Sequence, residues 1–272
     1  GKIRSLFTLW NFAPDDYAFE FEAGIESRWK RELLATIDQY TFAEKITLTD
    51  VAALECRWIF GEPGASEGLL LKALGAPELK PHQTLAIDDE IRLCHQGTQA
   101  YGRPWITAWG RPARLEQWLE RALPEAGKEA GKTALRWDTL EQWRILNLWA
   151  RMDTEITPDT IALEAGLTDA IASAKGCYPG QEVIERIVSL GSPARRLSLV
   201  EGQGEAPSQG ELLHNLAEPP IEIGTVTSAV GLESGHFAAL AYVRKIHAKE
   251  GLEIVLGKSG ARASIVRVAP YA

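Results

Sequence analysis

Lys175-Gly176-Cys177-Tyr178-Pro179-Gly180-Gln181-Glu182 sets a cysteine between two glycines, two residues after a lysine and just ahead of a short helix-like run, Gln181–Ile187. Glycine permits backbone angles and close approaches that a side chain forbids, and Pro179-Gly180 reads as a turn. Cys177 is therefore expected on a constrained loop running into a helix N-terminus. The partial positive charge of that end favours a thiolate, and Lys175 adds to it. A thiol so placed can act as a nucleophile or redox group. The competing reading is a buried, inert cysteine, the usual state of a free thiol. On this context alone both stay open.

The elements that must position this loop come next. Residues 3–10 and 17–22 read as strands joined by Asn11–Asp16, with Tyr17, Phe19 and Phe21 on one face at period two. Ile25, Trp29, Leu33, Ile37 and Tyr40 give a helix over about 25–40 one apolar stripe. Strands are expected at 45–50, 54–60, 91–95 and 105–109, and a short helix at 65–73. A helix over 112–122 opens on Arg111-Pro112, where proline suits the first turn. After the polar stretch 124–132, Asp138-Thr139-Leu140-Glu141 has the form of a capping box and opens an apolar helix. Alternating strands and helices of this kind argue an α+β or α/β region. From about residue 190 the texture changes. Short strands at 195–200, 223–229, 238–244, 252–256 and 261–268, separated by Gly and Pro, predict a small β-barrel or sandwich. We place the boundary at Leu190–Pro193, giving a region 1–190 and a domain 191–272.

Composition narrows the classes. The chain has 272 residues, 45% of them apolar, with nine Trp, which supplies a core for two or three domains. Its net charge of −8 opposes broad binding to a phosphate backbone, so direct nucleic-acid binding is not expected. Apolar runs are far too short for a membrane span. Three widely spaced cysteines, 56, 94 and 177, make no disulfide framework and imply a reducing, cytoplasmic setting. No zinc-ligand spacing occurs, and no dinucleotide or Walker fingerprint. Cys56 and Cys94 lie in strand patterns and read as structural. The five histidines are scattered and read as loop or surface residues. The tryptophans at 105, 109, 118, 137, 143 and 149 fit core packing better than a ligand-stacking wall. Arg195-Arg196 opens a strand, as a solvated edge or as a holder of a ligand carboxylate. The chain opens without Met and already in a strand, so earlier residues are expected to be missing from it.

The stretch Lys175–Glu182 with Arg186 resembles the signature of YgfZ-type folate-binding proteins, relatives of the glycine-cleavage T-protein (aminomethyltransferase). Arg195-Arg196-Leu197, Gly224–Ser228 and Ala238–Arg244 are similar to the family's C-terminal barrel motifs. Ile156-Thr157-Pro158 and Leu163–Leu167 are similar to the segment preceding the loop in T-proteins. The resemblance implies a T-protein-like α+β fold. Mixed sheet and helix lobes, with the first segment absent, bind folate and are followed by a small C-terminal β-barrel. It implies tetrahydrofolate as cofactor, Cys177 and Lys175 as reacting groups, and Tyr178, Gln181, Glu182, Arg186 and Arg196 as cofactor contacts, with no metal site. It implies support of iron–sulfur cluster assembly or repair, with iron–sulfur enzymes or assembly proteins as partners and an indirect effect on tRNA-modifying enzymes. The alternative is a folate-dependent aminomethyl- or methyltransferase. In such enzymes a glutamate on a strand grips the pterin. The strand that matches here, Trp105–Trp109, carries none, and the usual T-protein loop lacks the cysteine. Both departures argue against glycine cleavage.

Overall fold

The computed structural model describes residues 2–21, 27–51, 53–61, 67–124, 135–171 and 180–271. Its chain forms two compact units. One comprises residues 1–6, 23–33 and 141–272, the other 7–22 and 34–140.

The second unit is built on a four-stranded antiparallel sheet. Its strands are β3 (Glu55–Phe60), β4 (Thr84–Ala86), β5 (Arg92–His95) and β6 (Trp105–Gly110), in the order β3-β6-β5-β4. All six residues of β6 are buried, because both sheet faces are covered. On one face lie α2 (Glu67–Ala73) and α3 (Pro112–Ala122). Leu71, Leu115 and Trp118 pack there against Ile59, Leu93, Ile106 and Ala108. On the other lies the hairpin β1 (Thr8–Ala13) and β2 (Asp16–Glu20). Its Trp10, Phe12 and Ala18 meet Cys56, Cys94 and Trp109.

The first unit ends in a closed antiparallel barrel. Its strands are β7 (Arg195–Gln203), β8 (Leu212–His214), β9 (Glu222–Gly231), β10 (His236–Arg244), β11 (Glu253–Leu256) and β12 (Arg262–Val268), in the order β10-β7-β12-β11-β8-β9. Strand alternation sends Phe237, Ala239, Ala241 and Val243 of β10 into the barrel. Ala238, Leu240 and Tyr242 face a second core outside it, containing Trp29, Ile145, Met152 and Ile156. These residues come from α1 (Ser27–Tyr40), α4 (Trp137–Leu146) and the loop after α4. The α+β architecture with a C-terminal β-barrel is thus as expected, the barrel having six strands where five were read.

Four local expectations are corrected. Residues 44–51 form no strand, and Ile46 and Leu48 stand exposed. Alternation there has no neighbouring edge to pair with, and an unpaired strand is not stable. The strands β4 and β8, three residues each, were not expected from the sequence, being too short to show a period. Asp138 and Glu141 do not act as a reciprocal cap: Asp138 pairs with Arg136, and Glu141 accepts from Arg144 and Arg151. His95 is no surface residue but fully buried on β5. Its Nδ1 accepts the Gly97 N–H at 3.0 Å, so Nε2 carries the hydrogen that faces Glu67.

Gly166, in the Leu163–Leu167 segment, has φ +75°, and a Cβ there would lie 2.7 Å from the Ala269 Cβ. Gly166→Ala combines left-handed strain with overpacking and is expected to cost about 2 kcal/mol. A urea or thermal midpoint equal to that of the parent chain would contradict this.

Candidate functional site

Lys175, Cys177 and Tyr178 lie outside the described residues. The description resumes at Gly180, whose φ of 88° turns the chain into α5 (Gln181–Leu190), and Gly191 at φ 100° closes that helix. Both are backbone states that glycine adopts without Cβ strain. Among the described side chains of the helix Ile184 is buried, while Glu182 and Arg186 are exposed. The Gln181 amide donates to Glu185 at 2.5 Å, one turn along. The described contacts of Arg196 are with other residues. Its guanidinium donates twice to the Ala269 carbonyl, at 3.1 and 2.5 Å, and covers the Tyr271 ring at 4.8 Å.

The buried polar chemistry of the second unit centres on a residue the sequence reading passed over, Glu20. Trp10, Ala18 and Glu20 share the sheet-facing side of the hairpin, and Glu20 is 7% exposed. Its Oε2 accepts from Trp10 Nε1 at 2.7 Å, Gln96 Nε2 at 2.8 Å and Thr107 Oγ1 at 3.3 Å. Its Oε1 takes the weak thiol donor of Cys56 at 3.7 Å. Burial raises the Glu20 pKa above the usual carboxylate value, and the bonds from Trp10, Thr107, Gln96 and Cys56 offset this only in part. Burial first, and the Glu20 charge second, push the Cys56 and Cys94 thiols well above their ordinary range. Neither is a nucleophile in this state. The strand β6 stands between β3 and β5, so these cysteines are about 10 Å apart across the sheet, beyond disulfide reach. The strand Trp105–Gly110 carries no glutamate, yet the hairpin lays one onto it, at Thr107.

The first unit holds a second buried carboxylate with the opposite electrostatics. Glu155 accepts from Arg144 Nη1 at 2.9 Å, Ser228 Oγ at 2.6 Å and the Arg151 N–H at 3.1 Å. Burial pushes its pKa up, but the Arg144 guanidinium and the hydroxyl and amide donors outweigh burial and hold it below the usual value. Among the described residues, no group of three or more His, Cys, Asp or Glu side chains could hold a metal ion. No described helix is long and apolar enough to cross a membrane.

No family model matches the sequence. Two Aliivibrio fischeri proteins, each named tRNA-modifying protein YgfZ, are similar along most of it. That of strain MJ11 is 36% identical over 254 residues, covering 89% of this chain and 69% of its own. That of strain ES114 is 35% identical over 256 residues with the same coverage. The chain belongs to the YgfZ family. A chloroplastic Arabidopsis thaliana protein with a provisional transferase name is 25% identical over 247 residues, and this chain spans only 54% of its length. The glycine cleavage system aminomethyltransferase T of Bartonella henselae superposes with a TM-score of 0.56 at 18% identity, over 74% of this chain and 55% of that one. This YgfZ-family chain therefore has a T-protein-like fold.

In this member Glu20 was missed because Phe19 and Phe21 mark the other side of β2 as the apolar one. Both pack around Phe7, at 5.1 and 6.2 Å between ring centroids. Strand alternation then assigns Glu20 to solvent, and only the sheet beneath the hairpin shows otherwise. Its raised pKa means that the folded state binds the Glu20 proton more readily than the unfolded state. Stability therefore falls as pH rises from the ordinary carboxylate value through the raised one. Glu20→Gln keeps an oxygen for the three Oε2 donors and removes the charge. It is expected to raise the melting temperature at neutral pH, with the difference closing near about pH 4. A variant less stable at neutral pH would show that the ionised form is the favoured one.

Proposed function

We propose that this YgfZ-family chain binds tetrahydrofolate and supports the assembly or repair of iron–sulfur enzymes, with Cys177 as its working thiol. The name of the Aliivibrio relatives, tRNA-modifying protein, fits an indirect role through iron–sulfur enzymes that modify tRNA, since a chain of net charge −8 is poorly suited to grip RNA itself. The chain spans about two thirds of the length of those relatives, and less of the others.

The observation that carries the folate reading is Glu20. A pterin edge offers N–H donors, and a carboxylate oxygen accepts them. Oε2 is already saturated by fixed donors, whereas among the described residues Oε1 meets only a thiol hydrogen. Oε1 is thus open to one pterin N–H, with Trp10, Gln96 and Thr107 orienting the carboxylate through Oε2. Bound tetrahydrofolate supplies the capacity to carry a one-carbon unit. The protein's own part is to hold that ligand through Glu20, with Cys177, in the stretch before Gly180, as the thiol.

The second reading, a folate-dependent aminomethyltransferase, is favoured by the T-protein-like fold. Tetrahydrofolate titrations by calorimetry separate the roles. Glu20→Gln is expected to weaken binding by about 2 kcal/mol, the scale of a charge-assisted hydrogen bond. Cys177→Ala should bind as the parent does yet fail to restore iron–sulfur enzyme activity in cells lacking the protein. Full restoration by Cys177→Ala would remove the thiol from the mechanism. Turnover of an aminomethyl donor by the purified chain would favour the second reading.

A further inference from the structure

A cleft of about 380 Å³ opens on the first unit, between the start of β7, the first half of β9, the end of β10 and the loop after α4. That is the small end of the range for ligand sites. Its walls sort by hydrogen-bond role. Arg195 Nε donates to the buried Glu164 carboxylate at 3.0 Å, and its guanidinium lies 4.3 Å over the Tyr242 ring. The Tyr242 hydroxyl is itself anchored on the Glu155 carbonyl at 3.0 Å. These contacts fix the guanidinium plane. Its two Nη groups make no hydrogen bond to a described residue, so a preorganised fork of donors stands at the cleft. Asp159, the other acid whose charge couples to Arg195, is held by Lys2 at 2.5 Å. Beside Arg195 in register, Arg244 lies 3.7 Å from Glu222.

The threonines have the complementary role. Thr154 donates to the Arg151 carbonyl at 3.3 Å, Thr160 to the Glu155 carbonyl at 3.0 Å and Thr227 to the Leu240 carbonyl at 3.0 Å. Since Thr160 has spent its hydrogen, the 3.1 Å contact between Thr157 and Thr160 uses the hydrogen of Thr157. Thr160 is also filled as an acceptor, by the N–H and the hydroxyl of Thr157 at 2.9 and 3.1 Å, so the hydroxyls left with acceptor lone pairs are those of Thr154, Thr157 and Thr227. A ligand here must bring a carboxylate for the fork and N–H donors for the hydroxyls and Glu222.

We propose that this cleft binds the C-terminal end of a short peptide or peptide-like amide, its carboxylate seated on Arg195 and its N–H groups on the threonine wall. The site is independent of the folate reading.

The test is isothermal titration of the chain with glycyl dipeptides carrying each natural C-terminal residue, with acetate and inorganic phosphate as controls. At least one dipeptide should bind saturably, and acetate and phosphate should bind at least about tenfold more weakly, since neither uses the acceptor wall. Arg195→Lys keeps the charge beside Glu164 and loses the fork. It should weaken the dipeptide at least about tenfold with an unchanged melting temperature. Because Arg195→Lys could disturb the fold, Arg244→Gln, at the more exposed cross-strand neighbour of Arg195 on β10, should also weaken binding. Saturable binding by no dipeptide, phosphate binding as tight as the dipeptide's, or undiminished binding in both variants would overturn the proposal.

Discussion

The buried ion pair of Arg144 and Glu155 is the constraint on which the first unit depends. Arg144 is 1% exposed, and its five guanidinium hydrogens all have partners. They are both carboxylate oxygens of Glu141, the Trp149 carbonyl, Glu155 and the Ser228 hydroxyl. One side chain on α4 thereby ties its own helix, the following loop and barrel strand β9. Losing either partner would strand a buried charge, at a cost of about 3–5 kcal/mol. An apolar replacement of similar volume could match the stability. It could not fix the Trp149 carbonyl and the Ser228 hydroxyl in the same act. The path toward the cysteine stretch inherits this order. Glu155 accepts the Tyr242 and Thr160 hydroxyls on its carbonyl, and the Glu164 carbonyl accepts the Leu197 N–H at 2.8 Å. The segment entering residues 172–179 is thus pinned to β7 and β10, and the segment leaving them is a helix with a glycine at each end.

Glu20 and Glu155 are buried to a similar degree, yet their environments drive their pKa values apart. Glu155 faces a guanidinium and keeps its charge at a profit to stability above the ordinary carboxylate value, a profit lost as pH falls below it. The donors around Glu20 are neutral, and its charge costs stability at neutral pH. Carboxylates pushed apart in this way take different roles. The first organises the fold. The second is destabilising as it stands, and a destabilising buried charge makes physical sense where a ligand's donors complete its shell.

The sequence was most legible where one residue type answers one local demand. The glycines at 180 and 191, the proline opening α3 and the five longer barrel strands fall where turn chemistry and alternation place them. Legibility failed where a tertiary partner decides. Alternation over 45–50 found no edge to join. The Asp138–Glu141 pattern was a sound cap signal, but a buried arginine three residues on outbid the helix N-terminus for the Glu141 carboxylate. Glu20 had the alternation of a surface residue, because the face that buries it belongs to strands 35 or more residues away in the chain.

Arg195 and Arg196 show the same limit at the scale of one dipeptide. In sequence they are indistinguishable, and a resemblance to family motifs selects the pair rather than either member. On β7 successive side chains leave opposite faces. Arg196 is turned to the chain end, where two donors are consumed by the Ala269 carbonyl and the ring of Tyr271 covers the plane. Arg195 is turned to the cleft, where, among the described residues, only Nε is consumed. A guanidinium with its fork spent on a backbone carbonyl is a clasp, whereas one held by Nε and an aromatic face keeps its two-pronged end for a carboxylate. Register, which pairs Arg195 with Arg244 and Arg196 with Val243, decides which arginine is which. A slip of one residue would exchange the two roles without changing a letter of the motif.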